Sequence, residues 1–411
     1  MSAAILALNT VGRQLQRSGL RPFSLDHRAI LDEAVRRTGL DDYGSDEFRE
    51  PLHRLLQCLD TESHLSPLGR ITAHNDMLAL LENRLRLVED RKRNPDLAQT
   101  PIRSPLFIVG LPRTGSTLLH HLLAQDPASR VAQAWEVMCP SPPPERERYE
   151  TDPRIALAER QLRWLDRLVP DFKKIHPLGA RLALECLAIM AGSFQSWRFN
   201  TMYRVPTYQE WLGRQDQRPA YQFHRRFLQH LAWRAPAERW VLKAPSHLHA
   251  LETLFETYPD ALVVQTHRDP VTVLASVASL TAVLRAGFSD RVDRAEIGRD
   301  VLQHWLWGIE SAIRIRQAGR ISPRRFLDVH YLELVADPIG TVRRVYEHCD
   351  LPFSEESERR IRGYLTERPK DRDGHHEYSL DSFALDPHEI SAAFKGYRDH
   401  FDVRAEPVPG L

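Results

Sequence analysis

The chain has 411 residues, long for one compact core, so a core carrying an extension or a large insertion is expected. Its 56 basic residues nearly balance 55 acidic ones, which argues against the basic excess of a nucleic-acid-binding protein. Cys58, Cys139, Cys186 and Cys349 lie far apart without a CxxC pair, so neither metal-ligand spacing nor a disulfide framework is indicated, and a reducing, cytoplasmic setting is expected.

The first 23 residues are mildly apolar, but Asn9, Arg13 and Gln14 interrupt them before a signal-peptide core forms. No apolar stretch approaches the roughly 18 residues that cross a bilayer, so no membrane span is expected. From Ser24 to Arg93 the segments AILDEAVRRTGL, REPLHRLLQCLD and MLALLENRLRLVEDRKR carry apolar residues three and four apart, a helical pattern. Gly39, the DDYG turn and Pro67 punctuate it. Residues 1–100 therefore form a helical N-terminal extension, and residues 101–411 the main domain.

That domain opens with SPLFIVG, a short buried-strand signal running into the glycine loop GLPRTGST, and STLLHHLLAQ follows with helical spacing. Three further strands, RWVLK (Arg239–Lys243), ALVVQTHR (Ala261–Arg268) and RFLDVHY (Arg325–Tyr331), each precede a helical stretch. The alternation predicts an α/β fold: a parallel β-sheet flanked by helices in a three-layer core of the phosphate-loop kind. Between about residues 140 and 236 the alternation stops at the cluster PSPPP, and a helical insertion is expected. Its aromatic residues Trp197, Phe199, Tyr203, Tyr208, Trp211, Tyr221 and Phe223 suit core packing or the wall of an apolar acceptor pocket.

In a nucleoside-triphosphate loop, backbone N–H groups wrap the phosphates and a lysine after the second glycine reaches the outer ones. Here Ser116 fills that lysine slot and the cation, Arg113, precedes Gly115. The loop remains an anion site, with Arg113, Thr114, Ser116 and Thr117 adding donors at a helix N-terminus, and it suits a compact terminal anion better than a triphosphate. Farther on, THRDPVTVLAS places Arg268 at a strand end, Asp269 and Pro270 as helix cap and first turn, and Ser276 one helix face away. Arginine and serine can converge on one anion at the carboxyl edge of the sheet.

The segment GLPRTGSTLL resembles the 5′-phosphosulfate loop of sulfotransferases that use 3′-phosphoadenosine 5′-phosphosulfate (PAPS), and RDPVTVLAS resembles their 3′-phosphate element. VHYLELVADP is similar to their YxxLxxDP element, in which a tyrosine, here Tyr331, lies near adenine. The likeness runs from about Ser104 to Asp337 and is nearest the bacterial branch with WVLKAPSHL-type strands. It implies PAPS as donor and a hydroxyl of a small or lipid-like molecule as acceptor. It also implies a nucleotide site of Arg113, Thr114, Gly115, Ser116, Thr117, Arg268, Ser276 and Tyr331, with no metal.

Arg113 stands where many relatives have lysine, and Lys243 matches a strand-end lysine that touches the transferring group. Two candidates for general base remain: Glu136, favoured slightly, and His247, four residues past Lys243. Leu118 and Leu119 replace an aromatic common in relatives, so adenine stacking comes from elsewhere. FKGY at 394–397 resembles the lysine–glycine element that completes the 3′-phosphate site. His375, His376 and Tyr378 suit a solvated loop or a closing segment better than a metal site. A metal-dependent nucleotide kinase or NTPase and a non-catalytic nucleotide-binding protein are the alternative functions.

Overall fold

The computed structural model describes residues 9–10, 12–14, 23–169, 179–236, 238–367 and 379–407. Toward the N-terminal side lie helices α1 (His27–Thr38), α2 (Arg49–Thr61) and α3 (Pro67–Arg93). Pro67 begins the third helix rather than breaking it: it sits in the first turn, where its missing N–H is not needed, and Ser66 Oγ caps it by accepting from Gly69 N–H. The sheet segment follows with β1 (Leu106–Gly110), α4 (Ser116–Leu123), β2 (Ser129–Arg130) and α5 (Ala134–Met138). The insertion supplies α6 (Pro153–Leu168), α7 (Cys186–Met190), α8 (Arg198–Met202), α9 (Pro206–Gly213) and α10 (Arg218–Ala232).

Then come β3 (Arg239–Lys243), a 3₁₀ turn at Pro245–His249, α11 (Leu251–Thr257), β4 (Leu262–His267), α12 (Pro270–Phe288), α13 (Arg294–Gln317) and β5 (Phe326–His330). Helices α14 (Tyr331–Ala336), α15 (Pro338–His348), α16 (Glu355–Glu367), α17 (Pro387–Ala393) and α18 (Lys395–Phe401) follow among the described residues.

Among the described residues the five strands lie in the order β2-β3-β1-β4-β5, all parallel, so β1 and its loop hold the centre. Every residue of β1 is buried, which is why it reads as an unbroken apolar run. Its side chains alternate between two cores. Phe107 and Val109 join residues of α10, α12 and α13 on one face, while Leu106 and Ile108 join α4 and α15 on the other. A third core unites α1–α3 with α8, α9 and Phe288, so the N-terminal helices and the insertion are packed together. Ser66 Oγ also donates to the Phe288 carbonyl, tying the start of α3 to the end of α12.

Helix α12 departs from the sequence expectation, for it is long and apolar enough by length and composition to cross a membrane. Of that stretch 78% is buried inside the protein, because the helix runs through the core between the sheet and the N-terminal helices. Its apolarity is accounted for by packing on all sides. The four cysteines are free, as the wide spacing implied.

Candidate active site

The glycine loop leaves β1 at Gly110, whose φ of 130° only glycine adopts easily and where a Cβ would lie 2.4 Å from the Thr266 carbonyl oxygen. Arg113 and Gly115 also have positive φ, 66° and 83°, so the loop curls tightly before α4. The fully buried Thr114 hydroxyl contacts the Leu111 carbonyl at 2.6 Å and Thr266 Oγ1 at 2.5 Å. It therefore braces the loop from inside, and the Ser116 and Thr117 side chains stand at the mouth of α4, an arrangement that could hold an anion.

The two separated motifs meet. Arg113 Nε donates to Ser276 Oγ at 3.2 Å, and Arg268 Nη1 donates to the Arg113 carbonyl at 3.1 Å. Asp269 caps α12 by accepting from Val271 N–H, with Pro270 in the first turn, as the sequence implied. The Arg268 guanidinium stands 3.8 Å from the centre of the Tyr331 ring. A cleft of about 110 Å³ opens beside them, walled by Arg268, Asp269, Tyr331, Leu332, Arg404 and Glu406 among others. Beneath it, His267 contacts Asp328 at 2.8 Å, and Arg316 donates to both Asp328 oxygens at 2.7 Å. Burial alone would raise the Asp328 carboxyl, but hydrogen bonds from Arg316 and His267 outweigh it and hold it well below the usual range. Burial lowers His267 in turn.

Lys243, nearly buried at the end of β3, donates to Thr117 Oγ1 at 3.2 Å and to Glu185 Oε1. Glu185, the residue preceding α7, was missed in the sequence. No local motif marks it, because the turn that carries it belongs to the insertion and meets Lys243 only through the fold. Its backbone path is fixed beside α5, where Leu184 N–H donates to the Ala132 carbonyl and Ala134 N–H to the Leu182 carbonyl.

Glu136 is buried rather than exposed. It is fully buried, with Oε1 2.5 Å from Arg130 Nη2 and Oε2 accepting from Tyr149 Oη at 2.9 Å and Gln133 N–H at 3.0 Å, the last being half of a capping box for α5. His247 is also fully buried: Nδ1 lies 2.6 Å from Tyr221 Oη, the ring meets Phe107 edge-on, and Nε2 has no hydrogen-bond partner among the described residues. Burial, helped by the nearby His224, lowers it well below the ordinary histidine value.

The insertion's aromatic run is mainly core, with Phe199, Tyr203, Tyr208 and Tyr221 almost wholly buried. Tyr397 of FKGY lies under Arg268, accepting from its backbone N–H at 3.4 Å, whereas Lys395 is solvent-exposed and paired with Asp399. His375, His376 and Tyr378 lie outside the described residues.

Comparison with known proteins agrees with this geometry. A model of the sulfotransferase family matches residues 105–355, more than half of the chain. Sulfotransferase STF1 from Mycobacterium tuberculosis H37Rv is similar over 90% of this chain and 98% of its own, with 34% identity and a TM-score of 0.80. STF9 from Mycobacterium avium matches over 92% and 97% with 30% identity and a TM-score of 0.82. A curated relative from Mycobacterium bovis, omega-hydroxy-beta-dihydromenaquinone-9 sulfotransferase Stf3, is 27% identical over 298 residues, 70% of this chain and 72% of that protein. With a parallel sheet around a glycine loop, and with the loop, strand-end lysine and RDP motif converging on one edge, this chain belongs to the sulfotransferase family.

Proposed function

We propose that the protein transfers a sulfuryl group from PAPS to a hydroxyl of a small or lipid-like acceptor. The observation that carries this is the cluster at the carboxyl edge of the sheet, where Lys243 bridges Thr117 of the glycine loop and Glu185 of the insertion. The residues fit the donor nucleotide. The N-terminus of α4 and the strained loop offer backbone donors for the 5′-phosphosulfate, with Arg113, Ser116 and Thr117 beside them. Arg268 and Ser276 suit the 3′-phosphate, and the Tyr331 ring, already packed against Arg268, supplies the aromatic face that Leu118 and Leu119 do not.

When bound, PAPS supplies a sulfuryl group on a phosphate leaving group. Glu185 is the base in this reading. Its Oε1 is held by Lys243, and its Oε2 takes the proton of the acceptor hydroxyl as the acceptor oxygen bonds to sulfur. Lys243 Nζ and the α4 amides then carry the negative charge that collects on the departing phosphate, in a site where they are already oriented. Glu136 holds Arg130 and Tyr149 and positions α5, against which the Glu185 segment lies. The neutral His247 holds Tyr221 and remains the alternative base.

The menaquinone sulfotransferase among the relatives supports a lipid-like acceptor. Release of 3′,5′-bisphosphoadenosine from PAPS, dependent on a hydroxylated quinone lipid and abolished in Lys243→Ala, tests the reading. Donor binding without sulfation of any hydroxylated lipid or phenol would contradict it.

A further inference from the structure

The C-terminal segment lays a carboxylate on the guanidinium that the proposed function gives to the donor's 3′-phosphate. Glu406 accepts from Arg268 Nε at 2.9 and 3.1 Å and from Nη2 at 2.9 Å. Neither side chain is more than 17% exposed. Glu406 is also anchored by its own backbone, whose N–H donates to Asp269 Oδ2 at 2.9 Å, while Phe401 and Val403 are packed in the core behind it. The side-on fork of Arg268 is thus engaged by one oxyanion, and Nη1 is turned to the Arg113 carbonyl. A phosphate brought to the guanidinium with Glu406 in place would lie beside a carboxylate of like charge, which disfavours both.

We propose that Glu406 is an internal stand-in for the 3′-phosphate: the donor binds by displacing it from Arg268, and its return hastens departure of the bisphosphate product. This rests on the assignment of Arg268 to the 3′-phosphate. Exchanging one oxyanion for another keeps a mostly buried guanidinium paired at both ends of the catalytic cycle, where an unpaired one would be strongly unfavourable. The exchange needs only residues 404–406 to swing, because Phe401 and Val403 anchor the chain just before them. Its thermodynamic consequence is fixed in sign. An intramolecular competitor lowers the apparent affinity for every ligand that must displace it, by the fraction of molecules in which Arg268 is released.

Binding and dissociation of 3′,5′-bisphosphoadenosine are measured by calorimetry and stopped flow on the full chain and on Glu406→Gln and Glu406→Ala. Both variants are expected to bind about tenfold more tightly, with the gain appearing as slower dissociation. In the double variant Arg268→Ala/Glu406→Gln the gain disappears, because the two residues act as one unit. Unchanged or weaker binding by both Glu406 variants, with Arg268→Ala still losing the ligand, would overturn the stand-in and leave the donor site intact. If the wild-type chain and both variants all fail to bind the bisphosphate, the donor assignment falls and the stand-in falls with it.

Discussion

Tyr331 lies against both halves of the proposed nucleotide corner: its ring centre lies 3.8 Å from the Arg268 guanidinium, and a Cβ on Gly115 would approach its Cδ2 to 3.1 Å. One ring thereby lies between the glycine loop and the RDP motif. Arg268→Ala removes the cation from this corner and should weaken 3′,5′-bisphosphoadenosine about 100-fold, while AMP, which lacks the 3′-phosphate, changes by less than about threefold. Arg268→Lys should recover only part of the loss, since lysine has neither the fork nor the planar face. Equal losses for bisphosphate and AMP would remove Arg268 from the 3′-phosphate.

Glu185→Gln keeps the size of the side chain and a hydrogen bond to Lys243 but not the basic oxygen. Turnover is expected to fall by about 10²–10⁴, with bisphosphate affinity held within about threefold. A fully active Glu185→Gln enzyme would send the base assignment to His247 Nε2.

Glu136→Gln separates a structural carboxylate from a chemical one. It replaces a buried carboxylate that meets Arg130, Tyr149 and the Gln133 N–H, so unfolding in denaturant should show a loss of about 2–4 kcal/mol. The residual folded enzyme should keep most of its turnover. Loss of turnover with unchanged stability would exchange the roles of Glu136 and Glu185.

The contrast between these two glutamates shows what could be read from the sequence. β1, β3, β4 and β5 were legible to within two residues, because fully buried parallel strands are written as apolar runs followed by turn residues. The two-residue edge strand β2 was not, since Ser129 and Arg130 carry no such pattern. Helix α13 was passed over although Ile297, Val301, Trp305 and Ile309 repeat at helical spacing. The meeting of Arg113, Arg268 and Ser276 could be anticipated because each sits at a fixed offset from a glycine or proline that the backbone requires. Glu185 was hidden because its contact with Lys243 is made only through the tertiary fold. Glu136 could be placed near the glycine loop but its partners could not, because a capping-box glutamate carries the same local sequence whatever else it meets.

Stability should depend on pH through histidines buried in neutral form. Burial lowers His249 to about 4 and His224 to about 3, both below the ordinary value near 6.5. The unfolded chain therefore binds protons between these values that the fold does not. The stabilisation is whole above about pH 6.5 and is lost as the pH falls through the folded values, at up to about 1.4 kcal/mol per pH unit for each histidine. Denaturant unfolding at pH 7.5, 6 and 5 should show this decline, and His249→Asn should reduce its slope by about one proton. A slope unchanged in that variant would mean His249 takes up its proton within the fold.

The central claim is a donor site built for a 3′,5′-bisphosphorylated adenosine. A thermal-shift titration with 3′,5′-bisphosphoadenosine, run beside AMP and beside ATP with and without magnesium, tests it most directly. Ligand at about 100 times its dissociation constant adds about 2.7 kcal/mol, enough to raise the melting temperature by a degree or more. The account predicts selective stabilisation by the bisphosphate, the same with or without magnesium. Stabilisation by magnesium-ATP alone, or by none of these nucleotides, would contradict it.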